Sequence, residues 1–348
     1  MPQSPMTSMQ RVLTTLSHNE PDRVPVFHLL TMHGARELGL SIQEYFSKAE
    51  YVVEGQLRML RKYRNDCIYS FFYAPLEVEA FGAEVIYTED GPPNTGEPCV
   101  KTIPSILDLV PPRIEEAKML HKVLEAERRL KEAVNGDVPI IGVVMSPFSL
   151  PVMQLGFERY LQVMHSYPVE FEHLMRVNEE FCVEWANAQL EAGATAICYF
   201  DPVSSPTMIP RKLYLETGYQ IAKRTIARIQ GPTATHFASG GCLSILADVA
   251  ETGTAVVGVS ALEDLPQIKE ACRNKLTILG NLNGIEMRRW TEEMAFERVK
   301  TAINEAASGG GFILSDNHGE IPFQVPDEVL LAISEAVHEY GRYPIINS

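Results

Sequence analysis

The side chains of this sequence that could do chemistry stand at or just past the ends of short apolar runs. His236 ends Thr233–Phe237 but for one residue, and Glu263 follows Ala255–Ser260. Asp316, Asn317, His318 and Glu320 follow Gly311–Ser315. Two imidazoles with a carboxylate suit a hard or borderline divalent ion. The expected zinc ligands are therefore His236, His318 and Glu263, with Asp316 as the spare. A lone histidine is more often just hydrogen-bonded in a polar cavity, so the pairing of two carries this expectation. His28 and His33 carry none.

Asp201 ends the apolar run Ala194–Phe200 and opens a loop with two hydroxyls, Ser204 and Ser205. A carboxylate there can act as a general acid or base, although Asp-Pro also starts ordinary turns. Asp201 and His318 are the catalytic candidates, and Tyr69, Tyr73, Ser146 and Asn281 the expected substrate contacts. Ser239-Gly240-Gly241 could hold an anion on backbone N–H groups. Gly309-Gly310-Gly311 precedes a strand and does not fit a dinucleotide loop.

The elements that must position these residues alternate. Strands are expected at Arg23–His28, Cys67–Phe72, Ile140–Met145, Ala194–Phe200, Thr233–Phe237, Ala255–Ser260, Leu276–Asn281 and Gly311–Ser315. Helical periodicity covers Ser41–Arg64, Ile114–Val134, Phe157–Glu191 with a break at Pro168, Arg211–Ile229, Leu243–Ala250, Leu262–Cys272, Thr291–Ala307 and Asp327–Tyr340. Eight strands each trailed by helix predict an α/β fold, a (β/α)8 TIM barrel, whose active site lies just past the strand ends. A single domain over 1–348 is expected, with a helical extension at about 1–22 and an insert near 83–110.

Composition narrows the partners. With 30 Lys and Arg against 45 Asp and Glu the formal charge is −15, which disfavours nucleic acid and anionic membranes. No apolar run approaches the roughly 18 residues of a membrane span, and Met1–Arg11 lacks an apolar core of signal-peptide length. A cytoplasmic protein is expected. Six cysteines without C-x-x-C spacing read as free, inert thiols rather than a disulfide framework.

Six segments in order carry a resemblance over the whole chain. They are Met6–Leu16, Glu20–Val26, Ser146–Leu150, Asp201–Pro206, Gly280–Asn283 and Gly311–Ser315. Together they resemble the uroporphyrinogen decarboxylase superfamily, which includes the cobamide-dependent methyltransferases. Decarboxylase members carry Arg-Gln-Ala-Gly-Arg after strand one, and here the segment is Thr31–Arg36 with only Arg36 to match. The methyltransferase branch is more similar. Its thiol-methylating members hold zinc through His-x-Cys and a later Cys, where this chain has His236, Ala238 and His318. The resemblance then implies a harder site suited to an electrophilically activated methyl donor, such as an aryl methyl ether. It implies an O-demethylase component that passes the methyl group to a corrinoid on a separate protein. The alternatives are a tetrapyrrole-type decarboxylase, methylcobamide-dependent transfer to another acceptor, or a non-catalytic ligand-binding barrel.

Overall fold

The computed structural model of this chain describes residues 6–346 and shows eight parallel strands in one sheet. They are β1 Val26–Phe27, β2 Ile68–Tyr69, β3 Ile140–Met145, β4 Ala196–Phe200, β5 Thr233–His236, β6 Val256–Gly258, β7 Thr277–Leu282 and β8 Phe312–Asp316. Each pairs with the next in sequence from β2 to β8, and β8 pairs with β1, so only the β1–β2 seam lacks a ladder. Asp66 bridges that seam. Its N–H donates to Val26 O at 2.8 Å and its carboxylate accepts the Val26 N–H at 2.9 Å. The expected (β/α)8 barrel is the fold observed.

Alternation along the strands separates two cores. Phe27, Tyr69, Val143, Cys198, Leu279 and Ile313 pack together inside the barrel. Val144, Ile197 and Tyr199 face the surrounding helices instead. The helix Ser8–Leu16 underlies the N-terminal end of the barrel, started by a capping box between Thr7 and Gln10. Its Arg11 pairs with Asp22 at 2.7 Å and with Asp66 at 2.6 Å, and Arg23 also reaches Asp66 at 2.6 Å. One buried carboxylate thus ties the floor helix to the seam. Of the expected extension at about 1–22, residues 1–5 lie outside the described residues.

Several expected elements differ. Ser41–Arg64 is two helices, Ile42–Tyr45 and Ala49–Lys62, because the buried Phe46 and a turn closed by Ser47 Oγ on Glu44 O interrupt it. Arg211–Ile229 likewise splits at Thr217. The expected strands Arg23–His28 and Cys67–Phe72 shrink to two residues each, since one backbone bond and the side chains of Asn65 and Asp66, rather than a ladder, close the seam. Pro168 does start a new helix, Pro168–Ala192. In the insert, Val85–Ile86 pairs antiparallel with Asn94–Thr95. No helix among the described residues is long and apolar enough to cross a membrane. All six cysteines are free, five of them buried.

Candidate active site at the barrel mouth

His236 ends β5 on the side facing the barrel interior. Its ring stacks on Phe200 from the end of β4, with centroids 5.4 Å apart and planes 22° from parallel. Ala238 adopts a left-handed backbone (φ 52°), unusual for a residue with a side chain, and this turns its N–H back onto His236 Nδ1 at 3.0 Å. An Nδ1 that accepts leaves the proton of the neutral ring on Nε2. Burial, aided by the neighbouring His318, lowers the His236 pKa to about 4. His236 Nε2 is therefore a neutral donor, and it has no partner among the described residues.

The loop after β8 closes over this ring. Asp316 Oδ2 accepts the N–H of His318 at 2.7 Å and that of Gly319 at 3.2 Å. The Gly319 carbonyl accepts the hydroxyl of Tyr69, from the end of β2, at 3.0 Å. Gly319 has to be glycine twice over. Its φ is +88°, and a Cβ there would lie 2.4 Å from the Phe200 ring. Asp316 Oδ1 and His318 Nε2 are buried without partners, like His236 Nε2. Burial raises the Asp316 pKa to about 7 and lowers that of His318. Glu320 is also raised to about 7, by loss of water first and by Asp316 second, against the hydroxyl it accepts from Thr31.

Buried polar atoms without partners are uncommon, and each costs roughly 1–3 kcal/mol. Four from one histidine-rich strand-end region, Asn317 Oδ1 being the fourth, with an acid poised near neutrality, mark a site built for a ligand. The region holds a neutral N–H donor and a protonatable carboxyl, the two kinds of group that stabilise an oxygen gaining charge.

Other expected site residues lie elsewhere. Asp201 continues the outward-facing set of Tyr199. Its Oδ1 accepts from Ser146 Oγ at 2.5 Å and from Ser149 Oγ at 2.7 Å, and Ser149 Oγ accepts the Val203 N–H. Burial raises its pKa while these hydroxyls oppose the shift. Asp201 and Ser146 thus brace two loops against each other, not the mouth. Tyr73 is in the helical core, edge-on to Phe46 and bonded to Glu79 at 2.9 Å, and lines no mouth. Asn281, the last residue but one of β7, reaches Ser260 O at 3.4 Å. His28, of which nothing was expected, bonds Ser334 at 3.0 Å.

Glu263 corrects the expected zinc set. Its Oε1 accepts the N–H groups of Cys242 and Leu243 at 2.9 and 2.8 Å, and its Oε2 also meets the Cys242 N–H. That carboxylate is a cap for the turn at Leu243–Ile245. Among the described residues no group of three His, Cys, Asp or Glu side chains could hold a metal ion. The donors as placed do not fit zinc.

A parallel barrel with a hydrogen-bonding, acidic mouth hosts many chemistries, and sequence comparison narrows them. The model of the family described as uroporphyrinogen decarboxylase (URO-D) matches residues 7–340, and the chain belongs to that family. It is 24% identical over 364 residues to uroporphyrinogen decarboxylase of Mannheimia succiniciproducens, covering 97% of this chain and 99% of the relative. It is equally similar, 24% over 344 residues with 97% and 99% covered, to methylcobamide:CoM methyltransferase MtaA of Methanosarcina barkeri. In fold it resembles a methyltransferase from Methanosarcina mazei, with a TM-score of 0.81 at 22% identity over 96% of this chain and 99% of the other.

Sequence reasoning missed Gly319, Phe200 and the role of Ala238. A glycine directly after His318 was the available signal, because a loop that must fold back over a barrel needs a positive φ.

Proposed function

We propose that this chain is the methyl-donor component of a corrinoid-dependent system. It removes a methyl group from a methoxylated, aromatic small molecule and delivers it to a corrinoid carried by a separate protein. The observation that carries the reading is the set of partnerless buried atoms His236 Nε2, His318 Nε2 and Asp316 Oδ1. The relative named for methylcobamide chemistry and the methyltransferase fold neighbour support it.

In the reaction the bond between the ether oxygen and its methyl carbon breaks. The methyl group leaves without its bonding electron pair, which the partner's nucleophile replaces, and the oxygen keeps the original pair. An aryl ether oxygen is a poor leaving group unless it is protonated or strongly hydrogen-bonded. His236 Nε2–H stabilises the growing charge, and protonated Asp316 gives the oxygen its proton. Because the turn from Asp316 to Glu320 covers the His236 ring, substrate enters as that turn lifts. Tyr69 fixes the closed position and so excludes water while charge develops.

Decarboxylation of a polycarboxylate tetrapyrrole is the competing reading. It needs guanidinium partners after β1, and Arg36 there is already engaged by Asp327 at 2.9 Å and by the carbonyls of Phe323 and Val325. The deciding experiment mixes the chain with a reduced corrinoid protein and a panel of methoxyarenes, and follows methylcobalamin absorbance. Methyl transfer that His236→Ala lowers at least about 100-fold supports the reading. Release of phenol and methanol without corrinoid, or turnover of uroporphyrinogen at an ordinary enzymatic rate, overturns it.

A further inference from the structure

The interior of a TIM barrel is ordinarily filled by stacked layers of large branched side chains. Here several inward positions are small. Cys67 on β2's approach, Ala196 and Cys198 on β4, and Ala234 on β5 face Phe27, Leu279 and Ile313 across the barrel. The layers do not meet, and a chamber of about 110 Å³ remains between the helix Ser8–Leu16 and the underside of His236. Ala196, Ala234 and Ile141, near the starts of their strands at the floor of the barrel, accordingly keep accessible surface although they face its interior. Leu13 lines the chamber while 53% exposed, which places its entrance beside the N-terminal helix, opposite the mouth.

The chamber's walls are almost wholly apolar, with the Tyr69 hydroxyl committed to Gly319. Water needs two to four polar partners to stay in a cavity, whereas a chamber of this kind stays dry and accepts apolar guests. A cavity of roughly 150 Å³ lined by Leu, Ile and Phe holds benzene or xenon. The floor is not a loose plug that could collapse into the space. Its helix is anchored by Arg11 to Asp22 and Asp66, and by the Met9 N–H to Asp137 O at 2.8 Å.

We propose that the barrel interior beneath His236 is a second binding site, separate from the mouth, for one small uncharged apolar molecule of benzene size or less. The guest enters beside Leu13 and contacts Cys198, Ala234 and Leu279, with the edge of His236 above it. The site is independent of the reaction assigned to the mouth. It stands if the methyl-transfer reading fails, and its own failure leaves that reading intact.

The test uses the full chain with benzene as the probe. A guest that binds only the folded state raises the thermal midpoint, here by about 2 °C or more at saturation. Ala234→Leu puts a side chain into the chamber and should abolish the benzene shift, whereas Leu262→Ser, at an exposed position past β6, should keep it. No shift for the wild-type chain, or a shift that survives Ala234→Leu, overturns the proposal. Should Ala234→Leu not fold, wild-type crystals under xenon pressure decide the matter. Xenon between Cys198, Ala234 and Leu279 supports the site, and an empty chamber beside xenon bound elsewhere overturns it.

Discussion

The Tyr69 hydroxyl donates to the Gly319 carbonyl at 3.0 Å, joining the end of β2 to the loop after β8 across the top of the barrel. With the Asn317 N–H on Leu282 O at 2.9 Å, the Ile321 N–H on Leu29 O at 3.0 Å and the Thr31 hydroxyl on Glu320, this bond holds the cover of the site, where Gly319 also presents its N–H to Asp316 and its Cα to Phe200. Tyr69→Phe removes the hydroxyl and keeps the packing against Phe27 and Phe71. The net loss of one hydrogen bond, about 1 kcal/mol, should speed amide exchange of His318 and Gly319 roughly fivefold while exchange in β4 and β5 is unchanged. Uniform exchange rates across loop and strands would show that the bond does not hold the cover.

Asp316 and Glu320 both titrate near neutrality, and the direction of their effect on rate is fixed. Each pKa is raised from the ordinary carboxylate range to about 7, so the folded protein keeps these protons where the unfolded chain has lost them. The acid form is present below about pH 7 and disappears above it, and the stability these groups contribute likewise declines as pH rises from about 4 to about 7. Methyl transfer should fall on the alkaline side with an apparent pKa near 7 that belongs to the pair. Asp316→Asn should cost about 100-fold in rate, the usual worth of a general acid, while Glu320→Gln should keep both the rate and the alkaline limb. A flat profile through that range would remove Asp316 as the proton donor.

His236 should not titrate across neutral pH. Burial has moved it from 6.5 down to about 4, so the folded state releases a proton that the unfolded chain still binds. Stability from this ring is complete above about pH 6.5 and is lost as pH falls toward 4. Its imidazole NMR signals should stay those of the neutral Nε2–H form from about pH 5.5 to about 8, the range in which an unperturbed histidine would change. Gly258→Ala offers a structural check, since its Cβ would sit 2.3 Å from His236 Cδ2. Displacing the ring should destabilise the fold by roughly 1–3 kcal/mol and lower the rate.

The long apolar strands were legible because both their faces are buried, as in Ile140–Met145 and Phe312–Asp316. The seam was not. Asp66 substitutes a carboxylate for ladder bonds between β1 and β2, and no periodicity records that. His236 and His318 could be placed at one end of the barrel from their strand positions alone. Glu263 could not be excluded, since only the folded turn shows the Cys242 and Leu243 amides converging on it. Asp201 was not readable from parity, since it shares parity with the outward Tyr199 just as Asp316 does with the outward Leu314, and only the hydroxyls of Ser146 and Ser149 show its bracing role.

The partners of Asp201 and Asp316 supply the sharpest contrast between a residue of the fold and one of the site. Asp201 is 1% exposed, and its Oδ1 takes two hydroxyl bonds that hold the loop after β3 to the loop after β4. Asp201→Ala strands Ser146 and Ser149 in a buried setting and should cost about 3 kcal/mol, seen as a lower midpoint in thermal or urea unfolding. Because Asp201 points toward the helices, the folded fraction should retain kcat and KM within about twofold. Asp316→Asn should do the reverse, leaving the midpoint near wild type and removing the rate. A 100-fold fall in kcat for Asp201→Ala with its unfolding midpoint unchanged would return Asp201 to the chemistry and remove the bracing role that its two serine bonds assign it.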